Sequence, residues 1–320
     1  IDFKVYGKDL ARLGVILGKP ITIQGPFQAS GRLSDSGDRV YQVSGFKVVA
    51  GDNDLEGSAE VNLSGAKPGI TASLSSNNLD LRPFLPPDPE VKGTAAESAR
   101  PVRKDKVFPS DPLSLDALKP INANIQVQAR QLFTPRLAIK DLNIGVKIQD
   151  EALTLDPFKA GVGGGTLDGR ILLWPKGKAV GVETVLKVTK LDADLVAREL
   201  DFKESFGGKL DLNLNLKGIG SSVAQIMAGL NGKTLLVLSN ARIHNRYLDL
   251  LGADLSRSAL RLLNPFSQDA KLVEINCFVS GFKISNGMAE STALVLDTNH
   301  VSVVGQGKIN LKTEGLDISF

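Results

Sequence analysis

Apolar and polar residues alternate along most of this chain with a period of two, the spacing of a strand with one wet and one apolar face. The cleanest run is 208–218. Leu210, Leu212, Leu214 and Leu216 alternate there with Asp211, Asn213, Asn215 and Lys217, so one face is leucine and the other polar. Stretch 161–195 predicts two strands joined by a tight turn. Leu167, Gly169, Ile171 and Leu173 fall on one side, 175–178 turns the chain, and Val182, Thr184, Leu186 and Val188 run back. The unit has an echo upstream: Leu55 and Gly57 lead through Val61 and Leu63 to a turn at 66–69, then back through Leu74 to Asp80. The same 23-residue spacing separates Gly57 from Asp80 and Gly169 from Asp192. A repeat at fixed spacing speaks to architecture more strongly than a single motif.

Further strands are predicted at 21–28, 30–33, 41–49, 55–63 and 70–75, then at 121–129, 142–148 and 153–155. The C-terminal end adds 270–283, 288–297, 301–311 and 316–320, with Gly, Asp, Asn and Pro as punctuation throughout. Helical spacing occurs in three places. Leu10, Leu13, Ile16 and Leu17 predict a short helix within 1–19; Ser221 or Ser222 caps another running to Leu230; a third covers 247–263 and stops at Asn264-Pro265. Between 83 and 120 the pattern breaks. Prolines at 83, 86, 87, 89, 101, 109, 112 and 120 lack the backbone donor that a sheet or long helix needs. The expected organisation is therefore an N-terminal β segment with a leading helix over 1–82 and a linker or mobile loop over 83–120. A C-terminal β region over 121–320 comes next, with helices near 221–230 and 247–263.

The net charge of +3 comes from 38 basic and 35 acidic residues, mixed along the chain, which gives no basic stripe for nucleic acid. Cys277 is the single cysteine and cannot form an intramolecular disulfide. No run approaches the roughly 18–20 apolar residues that span a bilayer. The chain opens at Ile1 without a methionine, so the expectation is a processed or excised piece whose anchor lies outside it.

The candidate chemistry is sparse. His244 and His300 stand far apart, without the company that a zinc site or a Ser-His-Asp triad requires. Gly218-Ile-Gly220-Ser-Ser-Val223 has valine where a dinucleotide fingerprint needs its third glycine. Asp52-Asn-Asp54 starts like a calcium loop, but Leu63 occupies the twelfth position. Gly163-Gly164-Gly165 is followed by no Lys-Ser or Lys-Thr and reads as a bend. No catalytic residue, metal or cofactor is expected. What remains is the aliphatic faces. As pattern they favour a sandwich core, although aromatics make up only 5% of the chain, and a groove for acyl chains would need the same residues. The candidate lining residues are Leu55, Val61, Leu63, Ile171, Leu173, Leu186, Leu210, Leu212, Leu214 and Leu216.

The succession 152–160 (ALTLDPFKA), 163–169 (GGGTLDG), 191–195 (LDADL) and 208–212 (GKLDL), then a short helix and Leu230-Asn-Gly232, resembles the AsmA family of bacterial envelope proteins. The resemblance covers 115–320 well and 21–85 more loosely, and its specificity lies in the order and spacing of short motifs. It implies a mainly β fold: a long curved antiparallel sheet forming an open groove or incomplete barrel, with a few short helices. It also implies a periplasmic location, tethered to the inner membrane of a Gram-negative bacterium by an N-terminal helix absent from this chain. The implied partner is phospholipid or another acyl lipid carried towards the outer membrane, with no enzymatic motif. The rival expectation is a periplasmic scaffold that contacts envelope proteins through strand edges.

Overall fold

The structure, a computed structural model, describes residues 1–8, 25–84, 106–200, 207–244, 272–299 and 301–319. These residues are mainly β, and their seventeen strands pair as an open, mixed sheet accompanied by two short α-helices. The chain divides into two compact units. The first comprises Ile1–Val107 and Leu115–Ala160, and the second Phe108–Ser114 and Gly161–Phe320. The main division falls at Ala160. The reason is that the strands after residue 121 pair back onto those before it.

The first unit holds β1 (Asp2–Gly7), β2 (Phe27–Asp35), β3 (Val40–Ala50), β4 (Asn53–Asn62), β5 (Gly69–Asp80), β6 (Asn122–Phe133) and β7 (Ala138–Gln149). It also holds most of β8 (Ala152–Val162), which extends well beyond the short strand expected at 153–155. Neighbours from β1 to β5 pair antiparallel, whereas β5 and β6 run parallel, with Leu74 opposite Val127. A parallel pair demands a long crossover, and the 81–121 connection supplies it. Of that stretch the described part includes a 3-10 turn at Arg82–Phe84 and another at Asp116–Leu118.

Part of the 1–19 stretch expected to be helical is a strand. In β1, Phe3 and Val5 face Gly31 and Ala29 of β2, as the alternation of those first residues allows. Leu10, Leu13, Ile16 and Leu17 lie outside the described residues, as does the expected helix at 247–263.

The second unit is an antiparallel meander. Its strands are β9 (Gly165–Lys176), β10 (Ala179–Asp192), β11 (Gly207–Gly220), β12 (Asn231–His244), β13 (Leu272–Ser285), β14 (Met288–Thr298), β15 (Ser302–Val304), β16 (Gln306–Asn310) and β17 (Gly315–Ser319). Two helices flank β11, α1 (Ala193–Glu199) before it and α2 (Val223–Ala228) after it. Each starts on a side-chain cap. The Asp192 carboxylate accepts from the N–H groups of Asp194 and Leu195, and the Ser222 hydroxyl accepts from Gln225 N–H. The glycines 163 and 164 form the turn between β8 and β9, both with positive φ.

Candidate functional site

Cross-strand register in the second unit assembles a continuous apolar face. Leu167, Val188, Leu212 and Leu236 form one row across β9 to β12, and Ser280 and Leu294 extend it across β13 and β14. The next row along the strands contains Gly169, Leu186, Leu214, Thr234 and Phe282. Ile171, Thr184, Leu216 and Gly232 make a third, which ends on Ile284 and Ala289. A bulge at Thr189 and Lys190 brings Leu191 onto the same side as Val188, opposite Leu210, and so keeps the face apolar to the end of β10.

The other face is mixed and wet. Lys217 reaches Glu183 at 3.2 Å and lies 5.6 Å from the centroid of the Trp174 ring. Asn213, Asn215 and Lys187 are exposed there.

The apolar face is packed tightly at its two ends and loosely between them. At the α1 end, Ala241 and Ile275 are buried against Leu238, Phe278 and Leu296. At the α2 end, Leu230, Ile284 and Ala289 are buried beneath Ile226 and Met227, with Leu216 and Phe282 alongside. Between these clusters Val188 and Leu294 are buried at the flanks of the first row, whereas Leu186, Leu212, Leu214 and Leu236 are only half-buried. Among the described residues no large side chain is fully buried. A closed sandwich of this length would bury such a row completely.

The ten candidate lining residues therefore separate by unit. Ile171, Leu173, Leu186, Leu210, Leu212, Leu214 and Leu216 share the face just described, with Leu173 opposite Val182. Leu55 and Val61 share one face of β4 in the first unit, opposite Val48 and Tyr41 of β3. Val61 is 36% exposed. Leu63 lies just past β4, where its N–H donates to the Arg39 carbonyl at 3.0 Å. Sequence reasoning missed Leu236, Phe278, Phe282 and Leu294. The strands of the last three were predicted and that of Leu236, β12, was not; the register that brings all four into line with Leu210, Leu212 and Leu214 is not a local property.

The other sequence features have structural roles. The Asp54 carboxylate, in the calcium-like Asp52-Asn-Asp54, accepts from Asn78 N–H at 2.7 Å and from Asn77 N–H at 3.0 Å. Partial burial pushes its carboxyl up, but the N–H donors of Asn78 and Asn77 outweigh this and hold it below its ordinary value. Gly218 and Gly220, from the Gly-Ile-Gly run, lie under α2, where a Cβ at Gly220 would come within 2.5 Å of Ile226 N.

Among the described residues no group of three or more His, Cys, Asp and Glu side chains is placed to hold a metal ion. No described helix is long and apolar enough to cross a membrane. A cleft of about 430 Å³ in the first unit is lined by polar groups, including Glu56, Ser75, Gln128 and Asn143. It does not border the leucine rows.

The model of the AsmA family matches residues 38–294. A curated relative, AsmA family protein YhjG of Escherichia coli strain K12, is 24% identical over 336 aligned positions. That alignment takes in 100% of this chain and 48% of YhjG, so the chain spans about half the length of the relative. No solved structure matches. With most of its length matched by the family model, and with the ordered succession of β motifs found in its strands, the chain belongs to the AsmA family.

Proposed function

We propose that this chain is a lipid-binding element of the cell envelope that holds the acyl chains of phospholipid, or of another acyl lipid, on its aliphatic sheet face. The observation that carries this reading is the half-buried patch formed by Leu212 and Leu236 in one row and Leu186 and Leu214 in the next, between two well-packed ends. Acyl chains need apolar area and no directional partners, and each methylene withdrawn from water contributes about 0.8 kcal/mol. Membership of the AsmA family fits an envelope role. In this reading the protein sits in the periplasm, tethered to the inner membrane, and passes lipid towards the outer membrane. Acyl chains slide along the leucine rows while head groups stay at the wet rim. No residue has to change protonation, which makes this a carrier and not an enzyme.

The test is native mass spectrometry with lipid extraction on protein purified without detergent. Phospholipid is expected at a defined ratio in the wild type and is lost in a Leu212→Asp, Leu214→Asp variant that stays folded by circular dichroism. A lipid-free, well-folded wild type would overturn the reading. If the double variant unfolds, the milder pair Leu212→Ser and Leu214→Ser is read in the same way.

One observation supports a second reading, a scaffold for envelope proteins. Strand β17 pairs with β16 and is exposed along its whole length, with Leu316 71% exposed. A bare strand edge can take up a strand from another chain. A stoichiometric protein partner on lipid-free protein, lost when Ile318 is replaced by proline, is the result this reading requires.

A further inference from the structure

We infer that α2 is a fixed stop at one end of the acyl-chain face and sets how long a chain the face accepts. The inference rests on the lipid-binding reading above and adds an orientation and a length selectivity to it.

Three sets of contacts hold α2 in place. First, it lies directly on the backbone of β11. A Cβ at Gly218 would come within 2.9 Å of Ile226 Cγ2, and one at Gly220 within 2.5 Å of Ile226 N, so these two positions are glycine to let the helix sit this low. Second, its far end is bound to the β13–β14 turn. Gly287 N–H donates to the Leu230 carbonyl at 2.8 Å, and a Cβ at Gly287 would meet the Ala228 carbonyl oxygen at 2.3 Å. Third, the segment Phe108–Ser114, more than a hundred residues upstream, straps it down. Ala224 N–H donates to the Pro109 carbonyl at 3.0 Å, Leu113 N–H to the Ser221 carbonyl at 2.8 Å, and Phe108 N–H to a Glu314 carboxylate oxygen at 3.0 Å. Leu230 beneath the helix is 4% exposed and its cap Ser222 also 4%, so this end is packed like a core and not like a mobile lid.

The geometry gives the stop a direction. From Leu210 to Leu216 the half-buried rows run about 20 Å along β11 at a strand's rise per residue. They end against Ile226, Met227 and Leu230. Helix α2 reads Val-Ala-Gln-Ile-Met-Ala and carries no charge. Helix α1, at the other end of β11, carries Asp194, Arg198 and Glu199, with Asp192 and Lys209 paired beside it at 2.7 Å. Both ends have an apolar cluster, but only the α1 end has charged groups beside it, so an amphiphile lying along the strands places its methyl end at α2 and its polar end at the charges of α1, beside the Ala241 and Ile275 cluster.

The experiment is a competition among diacyl phosphatidylglycerols with a graded series of saturated chain lengths, read as bound fractions by native mass spectrometry on the whole chain. Ile226→Ala with Met227→Ala deepens the face and moves the preferred length upward. Met227→Trp shortens it and moves the preference downward. Each methylene that gains or loses contact changes relative affinity about fourfold. Opposite shifts in the two variants support the stop. An unchanged order of chain lengths in variants that still bind lipid overturns it and leaves the lipid-binding reading standing. A wild type that binds none of the series overturns the lipid-binding reading itself. Should Met227→Trp misfold, Met227→Phe replaces it.

Discussion

In the hairpin β4–β5, Gly57 faces Leu74 and Val61 faces Ile70. In the hairpin β9–β10, 112 residues further on, Gly169 faces Leu186 and Leu173 faces Val182. The register is the same pair by pair, and each hairpin ends on an aspartate, Asp80 or Asp192. The two continuations differ. The Asp192 carboxylate caps α1, and the next strand, β11, returns antiparallel. The Asp80 carboxylate accepts from Arg82 N–H at 3.0 Å and pairs with the Arg82 guanidinium, but only a 3-10 turn forms. The next described strand, β6, comes in parallel. The hairpin is thus a portable local unit, and the few residues after it decide where the chain goes.

The strongest way to break the equivalence is at its glycines. A Cβ at Gly57 would lie 2.0 Å from the Ser73 carbonyl oxygen, and one at Gly169 would lie 2.6 Å from that of Val185. Gly57→Val and Gly169→Val are each expected to cost about 2–3 kcal/mol in denaturant unfolding. If only one of them matters, the two hairpins are not the same unit.

The aspartates sharpen the difference. Asp192→Ala removes a helix cap and the Lys209 pair, and is expected to cost about 1–2 kcal/mol. Asp80→Ala, which has no helix to lose, should cost less than about 1 kcal/mol.

Acid should act in the same direction. The Lys209 hydrogen bond holds Asp192 below the ordinary carboxylate range, against partial burial and with help from Leu195 and Asp194 N–H. Asp80 is held low chiefly by its hydrogen bond to Arg82. A carboxylate whose folded value is depressed binds its proton more readily when unfolded. Its stabilisation is therefore full above the unfolded value of about 3.9 and is lost as pH falls through the folded one. The thermal midpoint should drop below about pH 4, and less steeply in Asp192→Asn.

The smallest effect belongs to the wet face, where Lys217→Ala gives up Glu183 and the Trp174 ring. Thermal unfolding should register less than about 1 kcal/mol.

Much of the fold is legible in the chain's own pattern. Alternation at Leu210–Leu216 marks β11 and its leucine face, the 23-residue spacing marks both hairpins, and Ser222 announces α2. The parallel pairing of β5 with β6 is not legible, because nothing in either strand's own pattern says which neighbour it will find. Strand β1 is hidden by the helical spacing that comes after it in the chain. The docking of Phe108–Ser114 on α2 leaves no signature, since most of its hydrogen bonds join backbone groups that every residue carries.

By itself the sequence determined which side of each strand is apolar, where hairpins turn and where helices are capped, since these depend on residues within a few positions of one another. Only the tertiary structure decided that Leu212 and Leu214 stay half-buried between two packed ends, and that a strap from far upstream pins α2 across the leucine rows. Burial and register depend on what lies alongside a strand, and that neighbour is fixed by pairing across the chain.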